Sequence, residues 1–217
     1  MSTKETVLAV RNALSAARMG TYEIAAAHDD IASLALYSWN AQVSATLLAP
    51  LHICEVVVRN AVSDTLEAVY GARWPWSVSF EHSLPAPPAG YSPRKDLQLT
   101  RSREPTTGKV IPELKFVFWQ KMFTGRHDAR LWNSHLVRVF PGLDSTRTIS
   151  DLRKEIYDEL EHIRTLRNRI AHHEPIFKRN LTDDLDRIVA LVEFRCKVTA
   201  SWMLVNQQAS ALLAARP

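Results

Sequence analysis

Isoleucine and leucine recur at positions 149, 152, 156, 160, 163, 166 and 170, always three or four residues apart. That spacing gathers them into one apolar stripe along an α-helix, whereas a half-buried strand would need alternation at every second residue. No segment alternates convincingly, and no internal repeat is present. The chain holds only 6 glycines, too few for the tight turns of a βαβ protein, and none lies in a phosphate-cradling pattern. Its 217 residues suit one domain with a core of its own. The expected fold class is all-α, a helical bundle built as a single domain over residues 1–217.

Proline, glycine and capping residues place the other helices. Residues 29–70 read as two helices or one kinked helix, because an apolar pattern runs on both sides of Pro50 and closes at Gly71. Seven of the 11 prolines lie between Pro75 and Pro112, so residues 72–112 read as a proline-rich irregular insertion. Helix is expected to resume at "PELKFVFWQKMFTG", with Pro112 near its first turn and Gly125 at its end. A short helix follows around "ARLWNSHLVRVF", stopped by Pro141-Gly142. A final helix is expected to open at Thr182-Asp183-Asp184, a cap followed by acids at the positive dipole end, and to run past Trp202.

The N-terminal "MSTKETVLAVRNAL" breaks its apolar run at Arg11 and does not read as a signal peptide. No stretch is expected to reach bilayer-spanning length. Cys54 and Cys196 lie far apart in apolar, helix-like contexts, which favours free thiols in a reduced compartment. A cytoplasmic protein away from the membrane is expected. The net charge of +4 is uneven: residues 91–138 hold 10 Lys and Arg against 4 Asp and Glu, while residues 1–90 are net −3. A basic segment of this kind is either a phosphate-gathering surface or a solubilising one.

The periodic helix ends in "RTLRNRIAHHEP", residues 164–175, where three arginines, an asparagine and two histidines crowd together. At about 100° per residue, Arg167 falls in the middle of the apolar stripe. A cation there needs a counterion or an anionic ligand, since an isolated buried charge is costly. Glu55 sits on the apolar side of its own helix and is a candidate partner, with Arg59, one turn on, equally placed to pair with it. His172 follows Arg167 by five positions, so a straight helix points the two about 140° apart. Either the backbone distorts before Pro175, or two copies of the chain supply the groups across a two-fold axis. Histidine shuttles protons near neutral pH and an arginine fork neutralises phosphate oxygens, so the pair suits phosphoryl chemistry. "HHE" is not a zinc-binding HExxH, and Glu159-x-x-His162 is half of a di-iron motif with no second half. No metal and no cofactor are expected.

The string "RNRIAH" at 167–172 has the R-polar-x-x-x-H pattern of HEPN domains, and "LRNRIAHHEPIF" resembles the abortive-infection (Abi-like) branch of that superfamily. "LYSWNAQVS", "ICEVVVRNAV", "YGARWPW", "LKFVFWQKMF" and "LWNSHLVRVFP" occur in the order seen across that branch, so the resemblance spans roughly residues 21–205. It implies a dimerising helical bundle and a metal-independent endoribonuclease of toxin or phage-defence type, with an antitoxin or defence-system partner as a further expectation. By the same resemblance Arg167 would hold the scissile phosphate, Asn168 would orient it, and His172 would act as acid or base while a ribose 2′-hydroxyl attacks. His173 and Glu174 flank the motif and are auxiliary candidates. They also occupy the place where some HEPN toxins carry a modifiable tyrosine, so silencing by that route is not expected. Arg94, Lys95, Arg101 and Arg103 of the basic segment are expected to add RNA affinity without chemistry. The competing class is a non-catalytic HEPN module that binds RNA or protein.

Overall fold

The computed structural model describes residues 3–217, and every regular element among them is helical. The chain opens with α1 (Thr3–Leu14) and α2 (Ala16–Ala25), then enters the central helix α3 (Asp30–Tyr70). Asp29 caps α3, its carboxylate accepting from the Ala32 amide, and Gly71 ends it at φ +82°. Pro50 lies inside without splitting it, so the one-helix alternative holds. A proline cannot donate to Thr46 and costs about 3 kcal/mol in a helix interior. Here Val43, Leu47, Leu51 and Cys54 on either side are buried, and their packing outweighs that loss.

The buried face of α3 carries Leu36, Trp39, Val43, Leu47, Leu51, Cys54, Val58, Val62 and Leu66, so it forms the spine of the core. Contrary to the sequence-based expectation, α3 is long and apolar enough to cross a membrane by length and composition, with a mean hydropathy of 1.5 in its best window. The expectation failed because Pro50 and the scattered Ser, Thr and Asn residues break the apolar run without adding charge.

Residues 72–112, read as an irregular insertion, are largely helical, with irregular chain left mainly at 84–92. They form a 3₁₀ turn at Trp74–Trp76, then α4 (Val78–Ser83), α5 (Pro93–Arg103) and α6 (Thr107–Glu113). The prolines sit largely at helix starts and between helices: Pro93 opens α5 directly after Ser92, whose hydroxyl accepts from the Lys95 amide. Proline is pre-set for that first position, so a high proline count is compatible with short helices. Trp74 pins the segment to α3, fully buried and donating Nε1–H to Ser63 Oγ at 3.1 Å. Pro112 ends α6 rather than opening the next helix, because Leu114 and Lys115 are extended.

Next come α7 (Phe116–Lys121), a 3₁₀ turn at Gly125–His127, a π-turn at Asp128–Trp132 and α8 (Asn133–Val139). The periodic stripe is α9 (Ile149–Ala171), and its Leu152, Ile156, Leu160, Ile163, Leu166 and Ile170 are all buried. The final helix is two: α10 (Leu181–Arg195) and α11 (Lys197–Asn206), separated by extended Cys196, with α12 (Ala209–Ala214) closing the chain. Asn180 rather than Thr182 caps α10, its side chain accepting from the Asp183 amide. Helices α9 and α10 run in opposite directions along α3: α9 passes from Arg167 at Glu55 to Ile170 beside Asn40 and Ser44, while the chain leading into α10 starts at Asn40 and α10 ends with Arg195 at Asp64.

Gly142 lies where the turn after α8 meets the end of α10. Its amide donates to the Phe194 carbonyl at 2.9 Å, and a Cβ built there would lie 2.7 Å from the Glu193 carbonyl oxygen. The three nearest atoms all belong to backbone, which cannot rotate away as a side chain could. Gly142→Ala is expected to destabilise the fold by on the order of 2–3 kcal/mol in urea melts, whereas Gly108→Ala, with nothing within 4 Å, is expected to be near neutral.

Candidate functional site

Helix α9 carries the motif to its C-terminal end. There the His172 amide still donates to the Asn168 carbonyl at 2.9 Å, so helical register persists through His172. His173 then turns into the left-handed region at φ +55°, its amide donating to Ile170 O and that of Glu174 to Arg169 O. These two bonds make a Schellman cap with histidine at the position where glycine is usual. The unwinding expected before Pro175 therefore occurs, but one residue too late to swing His172 back toward Arg167. The two keep their helical offset of about 140° and about 7.5 Å along the axis.

Arg167 is not in the apolar stripe, which corrects the helical-wheel placement. Its side chain is 44% exposed, with Nε 3.7 Å from Glu55 Oε1. The stripe drifts as it follows neighbouring helices, and over its last turns, Ile163, Leu166 and Ile170, its centre lies about 70° from Arg167. Glu55 has a closer partner in Arg59, at 3.1 Å. Both readings of Glu55 thus hold at once, with Arg59 as the tight partner and Arg167 as the loose one. His172 is exposed, and no described residue hydrogen-bonds or ion-pairs with its side chain. Asn168 is half-buried beside Arg167. Glu174 faces Arg169 at 3.7 Å, and the His173 carbonyl accepts from Arg18 Nη1 at 2.6 Å.

One turn back along α9, Arg164 pairs with Glu161, which also accepts from the Gln120 amide on α7. Those bonds, the Gln120 one foremost, hold the Glu161 carboxyl below the usual carboxylate range. Glu55 Oε1, Arg59 Nε, Gln120 Oε1 and Arg164 Nε are buried there without a hydrogen-bond partner among the described residues.

The segment after the motif is held by residues that sequence reasoning missed. Asn40, buried in α3, accepts from the amides of Ile176 at 2.8 Å and Phe177 at 3.1 Å. The available signal was an amide side chain on an apolar helix face, which has to find buried donors or acceptors. Asp184, read from sequence as a dipole-facing acid, is 1% exposed and receives Arg179 Nη2 at 2.6 Å and Nε at 2.8 Å. His162 Nε2 lies 2.8 Å from the same carboxylate. Among the described residues no group of three His, Cys, Asp or Glu is placed to hold a metal ion.

Of the four basic residues expected to touch RNA, two are committed internally. Arg94 donates to the carbonyls of Glu81, His82 and Leu84, closing the C-terminal end of α4. Arg101 donates to Pro75 O at 2.8 Å and pairs with Glu81. Lys95 and Arg103 are exposed, and their side chains pair with none of the described residues. Arg94→Ala and Arg101→Ala are thus expected to lower the melting temperature, and Lys95→Ala with Arg103→Ala to leave it unchanged while weakening any RNA binding in a salt-dependent way. Thermal melts beside fluorescence titrations at two salt concentrations separate the pairs.

No family model matches this chain, and no curated protein or solved structure is detectably similar to it.

Proposed function

We propose that the chain is a metal-independent endoribonuclease of HEPN type that acts as a homodimer in the cytoplasm, in a toxin or phage-defence role. The observation that carries this reading is the pair of exposed, differently directed groups at the end of α9: Arg167 with a loosely held fork, and His172 with no partner among the described residues. In the reaction the ribose O2′ bonds to phosphorus as the P–O5′ bond breaks. One histidine takes the 2′-hydroxyl proton or delivers a proton to O5′, and the arginine fork neutralises the non-bridging oxygens. The products are a 2′,3′-cyclic phosphate and a 5′-hydroxyl.

The dimer is supported by the persistence of helical register through His172, which keeps the two groups of one chain apart. Support for a pairing surface comes from α3, which has no Asp, Glu, Lys or Arg between Asp30 and Glu55 and exposes Leu48 and Val56 beside the motif. Exposed apolar area of this kind beside polar groups suits self-association. A non-catalytic RNA- or protein-binding module is the second reading, favoured by the contact between Arg167 and Glu55, which partly neutralises the arginine. Purified protein incubated with total RNA in EDTA distinguishes them. Cleavage that persists in chelator and leaves cyclic phosphate ends supports the nuclease; intact RNA, or cleavage that returns only with a divalent ion, overturns it.

A further inference from the structure

A second cationic site lies at the far end of α3. An open cleft of about 660 Å³ is lined by Val69, Tyr70, Arg126 and Arg130, with Ser79, His82 and Ser83 on the opposite wall. Its volume falls in the range of small-molecule sites. Arg126 and Arg130 are exposed, and neither makes an ion pair or hydrogen bond with any described residue. The acid between them does not neutralise them, because Asp128 is turned back to Arg153 at 2.8 Å. No carboxylate lines the cleft.

The turn that carries the arginines is fixed from behind. Leu131 and Trp132 are buried, Trp132 stacks on Phe123 at 4.6 Å between centroids, and its Nε1–H donates to Met122 O at 2.7 Å. His127 is buried between the arginines in sequence, and burial foremost, then Arg126 and Arg130, pushes its pKa down to about 4. It stays neutral near pH 7, so the two guanidinium groups provide the positive charge on that wall. Across the cleft, Ser79, His82 and Ser83 share one face of α4.

We propose that this cleft binds the phosphate groups of a nucleotide ligand, held by Arg126 and Arg130 and met from α4 by the Ser79 hydroxyl, since Ser83 already donates to Phe80 O at 2.6 Å. Two uncommitted guanidinium forks on a rigid turn suit phosphate oxygens, and the edge of Tyr70 with Val69 provides an apolar floor. The source is either a free phosphate-bearing nucleotide or a segment of an RNA strand. Position is compatible with the strand: Val69 lies fourteen residues beyond Glu55 on α3, and Arg153 lies fourteen before Arg167 on α9. Both helices therefore put the cleft about 21 Å from Arg167 along their axes and within about 40° of the same side. The assignment rests on the cleft itself and not on cleavage of RNA.

The test is direct binding to the full chain carrying His172→Ala, so that no cleavage is read. The probes are inorganic pyrophosphate by calorimetry and a fluorescein-labelled single-stranded RNA by anisotropy. Arg126→Ala with Arg130→Ala is expected to weaken binding roughly tenfold and, for RNA, to lower the salt slope by about 1.4, the value for two lost phosphate contacts to a single strand. Arg126→Lys with Arg130→Lys is expected to retain the slope. Ser79→Asp, on the other wall, is expected to weaken binding without touching the arginines. Loss for pyrophosphate alone assigns the cleft to the phosphates of a free ligand, and loss for RNA assigns it to a strand. If neither the double alanine variant nor Ser79→Asp changes the affinity for either probe, the cleft is not a phosphate site. Failure of the wild type to cut RNA would leave this outcome intact, which keeps the two proposals separable.

Discussion

His172→Ala is expected to lower RNA cleavage by about 10²–10⁴-fold, the usual loss on removing a general acid or base. The variant is expected to fold normally, because His172 is exposed and its side chain bonds to none of the described residues. Arg167→Ala is expected to cost about 10²–10³-fold by removing charge stabilisation from the transition state. Mixing the two inactive variants is the informative step. If a cleft takes its arginine from one chain and its histidine from the other, a mixed dimer keeps one intact pair and regains partial activity. If both groups must come from one chain, mixing restores nothing. A strict monomer that cuts RNA at the assay concentration would also remove the composite cleft. Arg59→Ala provides a control on Glu55: freed from its tight partner at 3.1 Å, the carboxylate is expected to hold Arg167 more closely and slow cleavage with His172 intact.

The largest expected loss of stability comes from Asp184. It is 1% exposed and accepts two bonds from Arg179, whose own side chain is 20% exposed, with His162 on the same carboxylate. Asp184→Ala leaves a largely desolvated guanidinium without its counterion. Removing one partner of such a pair costs on the order of 3 kcal/mol, which for a chain of this size lowers the melting temperature by roughly 6–12 °C. Asp183→Ala provides the contrast: that side chain is 42% exposed, its partner Arg187 keeps Glu159, and the melting temperature is expected to change little. The effect should also be local. Arg179 closes the segment that begins at His172, so Asp184→Ala is expected to speed amide exchange at Ile176 and Phe177, whose N–H groups bond to Asn40. Equal loss in the Asp183 and Asp184 variants, or unchanged exchange at those amides, would show that the cluster does not hold the segment.

What could be read in the linear chain was whatever depends on local spacing. The three-and-four recurrence from Ile149 to Ile170 is a property of one helix, and α9 spans Ile149–Ala171 with those residues buried or half-buried. Gly71 as the end of α3 and the break ahead of Pro175 are likewise local, set by which backbone conformations a residue allows. The motif residues were legible as a cluster for the same reason. Their surroundings were not. Whether Arg167 is buried depends on how the stripe drifts as α9 crosses its neighbours, which no wheel drawn on a straight helix contains. Prolines at 75, 93 and 112 suggested irregular chain because composition does not reveal whether a proline starts a helix or interrupts one. The fates of Arg94, Arg101 and Asp184 were decided by carbonyls, an acid and a guanidinium that reach them through space. Charge counts identify an ionisable group, but only packing determines whether it meets a partner or water, and that choice separates the committed Arg94 and Arg101 from the free Arg126 and Arg130.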